Sequence, residues 1–167
     1  MDEALKRQIP DLLAGHRIMT LATNRTDGWP QATTVRYVNN GLTLYFLCGP
    51  ESQKAKNLAR DDRVSLTIDH DTSDPMTITG LSMAANANPV TDAAELTKAL
   101  ELLRMRYPEY ANFPIRPEEI RVFRVVPQVI SVLDYTKGFG HSVLVSPSGT
   151  RANWSGHDRP IAQEESP

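Results

Sequence analysis

The sequence predicts a mainly β (α+β) fold, an antiparallel split β-barrel with peripheral helices at its rim. Two observations carry this expectation. Strand-like runs outnumber helical ones, and Asn39-Asn40-Gly41 lies between two of those runs. Asn-Gly supplies the positive φ angles that a tight hairpin requires, so the first clear pairing is antiparallel. A parallel, doubly wound sheet would need helical crossovers instead.

The elements follow in order. Leu5, Ile9, Leu12 and Leu13 recur at helical spacing and predict a short amphipathic helix, with Pro10 as a point where it kinks or splits. Ile18 to Thr23 is apolar and β-branched and reads as a buried strand; Asp27-Gly28 then turns the chain into a second strand, Pro30 to Val38. The third strand, Leu42 to Leu47, is expected to pair with the second across the Asn-Gly turn. After Cys48-Gly49-Pro50 a short helix runs from Glu51 to Arg60. Val64, Leu66 and Ile68 alternate with Ser65, Thr67 and Asp69, a strand with one wet face. Met76 and Ile78 begin another strand, whose phase shift at Gly80 predicts a bulge there. Asp92 to Tyr107 carries the strongest helical stripe, Leu96, Ala99, Leu100 and Leu103, with Thr91 or Asp92 as cap and Pro108 beyond its end. Ile120–Val126 and Val129–Tyr135 read as two strands separated by Pro127, and Val143 to Val145 as a short edge. Residues 1–145 are thus expected to form one domain, with 146–167 a Pro-rich, poorly ordered tail.

Composition narrows the partners. The chain has 167 residues and a net charge of −2, which gives no electrostatic reason to expect nucleic acid or an anionic membrane. No stretch approaches the roughly 20 apolar residues of a membrane span. The N-terminal residues show no signal-peptide pattern, and the single cysteine, Cys48, forbids an internal disulfide, so a cytoplasmic protein is expected. His16, His70, His141 and His157 are scattered and share no metal-ligand spacing with Cys48. Asp69-His70-Asp71 offers at most a weak metal-binding set and reads first as a polar strand end, and no metal site is expected.

One candidate site stands out. Gly49-Pro50-Glu51-Ser52-Gln53-Lys54 is a turn running into a helix start, where free backbone N–H groups and a partial positive charge suit a phosphate. Ser52 adds a hydroxyl and Lys54 a full charge. An isolated Ser-x-Lys also reads as an ordinary capped surface helix; what raises the functional reading is the neighbouring hairpin. Alternation puts Thr34 and Arg36 on one face of the second strand and Val35 and Tyr37 on the other. Arg36 and the helix start are expected to converge on one phosphate.

The order and spacing of Leu21-Ala22-Thr23, Gly28-Trp29-Pro30-Gln31, Thr33-Thr34-Val35-Arg36-Tyr37-Val38, Leu44-Tyr45-Phe46, Glu51-Ser52-Gln53-Lys54, Asn57-Leu58 and Asp62-Arg63-Val64-Ser65-Leu66 resemble those of the pyridoxamine 5′-phosphate oxidase-like family of FMN-binding split β-barrels. The segment Asp134 to His141 is similar to some small members. The resemblance implies a homodimer with FMN at the subunit interface, its phosphate held by Ser52, Gln53 and Lys54. Thr33, Thr34, Val35, Arg36 and Tyr37 would run beside the flavin, Cys48 would lie near the phosphate, and Thr79 near the isoalloxazine edge. Thr33 and Val38 stand where the vitamin B6 oxidase itself has basic residues, and His157-Asp158-Arg159 only echoes its substrate-phosphate segment. The vitamin B6 oxidase activity is therefore not supported, and the expectation is an FMN-dependent oxidoreductase of unknown small-molecule substrate, with no assigned catalytic residue and with Tyr135 and His141 as substrate-side candidates. A deazaflavin in place of FMN, a haem-binding relative, and a carrier or sensor that binds a ligand without turnover are the alternatives.

Overall fold

The computed structural model describes residues 3–112 and 116–147, and the predicted tail beyond 147, including His157 and Arg159, lies outside them. The described chain is a curled eight-stranded antiparallel sheet with three helices. Helix α1 (Glu3–Gly15) is continuous through Pro10, whose ring faces solvent while Ile9 and Leu13 are buried. Strand β1 (Ile18–Asn24) pairs along its whole length with β2 (Pro30–Arg36). After Tyr37 the chain resumes as β3 (Val38–Asn40) and turns at Gly41, φ 62°, into β4 (Thr43–Cys48). Helix α2 (Gln53–Arg60), β5 (Arg63–Asp69), β6 (Thr79–Pro89), helix α3 (Ala93–Arg106), β7 (Arg121–Asp134) and β8 (Ser142–Val145) follow.

The strand order is β2-β1-β5-β6-β7-β4-β3, with β8 beside β7. Because β2 and β3 stand at opposite ends of this order yet adjoin in sequence, the chain itself closes the barrel. The predicted second strand is thus split: only residues 38–40 pair with β4, whereas 30–36 pair with β1. Tyr37, at the exchange point, is fully buried, and its hydroxyl donates to the carbonyl of Leu13 at 2.8 Å.

Three further expectations are corrected. Met76 begins no strand; it lies exposed in a short 3-10 turn, Pro75–Thr77, and β6 starts at Thr79. Gly80 marks no bulge but a close approach: a Cβ there would sit 2.7 Å from the carbonyl oxygen of Ile68 on β5. The bulge lies on β7, where the partners of Ala84 and Ala85 are Val129 and Pro127 and Gln128 is the extra residue. Pro127 does not divide β7. It falls between the stretch paired with β4 (Arg121 to Val125) and that paired with β8 (Ile130 to Leu133), a gap where a missing N–H is tolerated.

The barrel interior is filled by alternate residues of every long strand, with Phe46 and Phe123 stacked at 5.2 Å. A second, smaller core forms outside the barrel, where Ala99, Leu103 and Tyr107 pack over Val38, Tyr45 and Val122. The long helix is the one the sequence predicted, capped by Asp92, whose side chain accepts from the Glu95 N–H, and ended by Tyr107.

Gly80→Ala should therefore cost about 1–3 kcal/mol of stability in chemical denaturation, because the obstacle is backbone rather than a yielding side chain. Gly49→Ala, with open space where its Cβ would stand, is expected to change stability by less than about 0.5 kcal/mol.

Candidate functional site

The site is built from the end of β4 onward. Cys48, half-buried, ends the strand, and the turn 49–52 closes with Ser52 N–H donating to the Gly49 carbonyl at 3.1 Å. Ser52 then adopts extended backbone, φ −63° and ψ 150°, and its hydroxyl oxygen accepts from the Ala55 N–H at 3.3 Å. That is an N-cap, and it leaves the N–H groups of Gln53 and Lys54 without helical partners. The hydroxyl hydrogen of Ser52 stays available to donate.

The helix carries no acidic residue in its first turn. Lys56 leans on Glu51 at 3.5 Å, and Arg60 donates to the Asn24 carbonyl at 2.8 Å. Lys54 differs from both: it is half-buried, and no acidic group among the described residues pairs with it. Its stem is partly covered and its ammonium has no acidic partner among the described residues, so the charge is open to an incoming anion.

A buried amide fixes the helix against the sheet. Asn57, 1% exposed, donates to the Thr23 hydroxyl at 2.9 Å and to Gln31 Oε1 at 3.3 Å, and accepts from Gln53 Nε2 at 2.9 Å. One side chain thus ties α2 to both β1 and β2. The sequence showed Asn57 only as part of a resemblance; that a polar residue lies on the inner face of a short helix, beside Ala55 and Leu58, is the signal that could have revealed it.

The face of β2 that meets α2 is the one carrying Gln31, and Thr33, half-buried, shares it. Val35 and Tyr37 continue the same face into the barrel interior, which leaves only their backbones for any ligand. Thr34 and Arg36 project from the opposite, exposed face, as alternation predicted. Arg36 therefore does not converge with the helix start. Its guanidinium donates to Glu109 at 2.7 Å and lies over the rings of Tyr107 (5.1 Å) and Tyr110 (5.5 Å). Arg17 shares the same carboxylate oxygen at 2.8 Å. A hydrogen bond from its own backbone and the two guanidinium groups hold the Glu109 carboxyl below its usual range. Thr79, half-buried, opens β6 opposite Asp134, next to the turn bearing Tyr135, exposed Phe139 and half-buried His141.

Among the described residues, recesses open on the surface. One, of about 350 Å³, is lined by Arg25, Asp27, Trp29, Pro30 and Gln31; another, of about 250 Å³, by Val38, Asn39, Leu102, Met105 and Arg106. The outer face of the sheet is made of small side chains in its middle. Across paired strands run Thr34, Thr20, Thr67, Ser82 and Ser131 in one row and Ala32, Ala22, Ser65 and Ala84 in the next.

Among the described residues no group of three or more His, Cys, Asp or Glu side chains is arranged to hold a metal, and no helix is long and apolar enough to cross a membrane. The histidines are less scattered than their spacing predicted, because His16 and His70 meet on the surface with Nε2 and Nδ1 3.4 Å apart.

Comparison with known proteins agrees with this architecture. A pyridoxine/pyridoxamine 5′-phosphate oxidase from Streptomyces avermitilis is 28% identical over 140 residues, 67% of this chain and 61% of that protein. A heme binding protein from Mycobacterium smegmatis superposes with a TM-score of 0.75 at 21% identity, covering 89% of this chain and 60% of the other. A putative pyridoxamine 5′-phosphate oxidase from Listeria innocua superposes with a TM-score of 0.65 at 22% identity, covering 78% of this chain and 98% of the other. The chain thus spans about three fifths of the length of the Streptomyces and Mycobacterium proteins. Residues 5–134 match the family model described as pyridoxamine 5′-phosphate oxidase, and the chain belongs to that family.

Proposed function

We propose that this chain binds FMN as a homodimer and serves as an oxidoreductase for a small organic substrate. The observation that carries the reading is Lys54, a half-buried cation without a counterion beside two free N–H groups at the start of α2. A phosphate there gains a full charge, the helix terminus and the Ser52 hydroxyl together. The donor set fits the phosphate end of FMN, and a deazaflavin would use the same anchor.

In this reading Ser52, Gln53 and Lys54 hold the phosphate, and Asn57 keeps their helix at a fixed distance from β1 and β2. Thr33 offers its hydroxyl to the ligand, Thr79 lies toward the isoalloxazine edge, and Cys48 adjoins the phosphate. Bound flavin supplies the hydride chemistry; the protein positions its reactive edge and keeps water away from one face. Tyr135 and His141, on the turn beside Thr79, are the groups available to a substrate.

Both recesses are open to solvent, and the outer sheet face presents hydroxyls and methyls without a charge in its centre. A second copy packed on that face would bury its hydroxyls and methyls and make the homodimer. The heme binding protein from Mycobacterium smegmatis supports a second reading, a ligand carrier without turnover.

An absorption spectrum of the purified chain, before and after addition of FMN, decides between these. A bound flavin spectrum is expected; a Soret band with haem and no flavin binding would overturn the proposal in favour of the carrier. Lys54→Ala should weaken FMN binding by about 1.5–3 kcal/mol, roughly tenfold to 150-fold in Kd. An unchanged Kd would remove Lys54 from the phosphate site. Thr67→Arg places a charge in the middle of the small-residue face. It should convert a dimer to a folded monomer in sedimentation, with loss of FMN; a variant that stays dimeric would place the interface elsewhere.

A further inference from the structure

We propose that His16 and His70 form a surface site for a divalent transition-metal ion of the imidazole-binding class, Zn²⁺, Ni²⁺ or Cu²⁺. The two side chains come from elements 54 residues apart, and no spacing rule connects them. His16 follows the last turn of α1; His70 follows the last residue of β5. Their facing nitrogens, Nε2 of His16 and Nδ1 of His70, are 3.4 Å apart, with the rings tilted by 34°. Two imidazole nitrogens that bind one ion at roughly 2.0–2.1 Å with a tetrahedral angle stand about 3.3–3.4 Å apart. The observed separation already equals that edge, so an ion can enter with little movement of either ring.

The environment of His16 supplies the second requirement. Its Nδ1 lies 2.7 Å from the carbonyl of Leu12, at the end of α1, and that bond keeps the proton on Nδ1. The Nε2 lone pair is then left facing His70. An imidazole whose other nitrogen donates to a backbone carbonyl is the arrangement that orients histidine ligands in metal sites. The residue is further held by Arg106, which donates to the carbonyls of Ala14, at 2.9 Å, and of His16. In the metal-free chain His70 Nδ1–H donates to the His16 Nε2 lone pair at 3.4 Å; an entering ion takes the place of this proton, which the exposed His70 ring can carry on Nε2 instead.

Asp69 and Asp71 flank His70 and draw cations toward it. With two protein ligands, water completes the coordination, which leaves exchangeable positions on the ion. Neutral imidazoles prefer this class of metal over Mg²⁺ or Ca²⁺, and Cu²⁺ should bind most tightly. A bound ion would bridge the C-terminal end of α1 and the end of β5, and so stabilise the folded chain in proportion to its occupancy.

The test uses the full, untagged chain titrated with each metal chloride alone by calorimetry, with thermal melting alongside. One equivalent per chain and a melting temperature that rises with metal concentration are expected. In the Cu²⁺ form, electron paramagnetic resonance should show coupling to two imidazole nitrogens. His70→Gln should weaken binding at least about tenfold and abolish the two-nitrogen signal, while the metal-free melting temperature stays unchanged. His16→Gln should do the same to binding, and His157→Gln should leave it intact. Wild-type and His70→Gln chains that bind with equal affinity, or a Cu²⁺ signal from a single nitrogen, would overturn the proposal. Neither outcome bears on the FMN site, whose residues are not substituted.

Discussion

The structure depends on one exchange of partners, at Tyr37. Residues 30–36 lie against β1 and residues 38–40 against β4, although these neighbours stand at opposite ends of the strand order. A continuous chain that changes ladder in this way closes the sheet without any pairing between its edges. The exchange interrupts the hydrogen-bond ladder, and every backbone group released there must find another partner. Tyr107 meets that demand, since its hydroxyl reaches the carbonyls of Tyr37 and of Arg17. Tyr37 in turn sends its own hydroxyl to the Leu13 carbonyl at the end of α1. Burial pushes the Tyr37 phenol well above its ordinary pKa, so it remains a donor throughout the physiological range. The end of α1, the end of α3 and the barrel closure are thus a single hydrogen-bonded unit.

That unit decides which surfaces are covered. Helix α3 is fastened over β3, β4 and β7, and among the described residues it does not extend over the exposed outer rows of β1, β2 and β5. In place of charge, the middle of that face carries threonine, serine and alanine across successive pairs. Helix α2 packs Ala55 and Leu58 into the barrel core. The Asn57 amide holds it there through three hydrogen bonds, two of them to different strands. Loss of one partner from such a network leaves buried groups unpaired, at about 1–3 kcal/mol each, so the helix start is a rigid platform and not a loop that adapts.

What the sequence disclosed, and what it did not, follows from the range of the interactions. The Asn-Gly hairpin, the Asp92 cap and the alternation of β5 are local, and all were legible. The exchange at Tyr37 was not, because Val35, Tyr37 and the strand faces around them keep period two straight through it; alternation reports which side is inside and is silent about the neighbour. Gly80 gave a true signal that was misread: a glycine in a strand marks either a bulge or a close approach, and only the position of the Ile68 carbonyl separates the two. Pro127 looked like a break because the gap between β4 and β8 along β7 is a tertiary fact. The Ser52 cap is local chemistry and was legible, whereas the claim of Glu109 on Arg36 spans 73 residues and leaves no trace in either segment.

Arg36 and Lys54 therefore differ in what an incoming anion could offer them. Arg36 already has a carboxylate at 2.7 Å and two aromatic faces, on a side of β2 turned away from α2. An anion that took it would have to replace Glu109, and the exchange of one oxyanion for another returns little net energy. Lys54 has no acidic partner among the described residues. An anion there restores a missing interaction without breaking an existing one, and does so where the helix already presents two unpaired N–H groups. Of two cations equally conspicuous in the sequence, Lys54 is the one whose charge no described acidic group already holds.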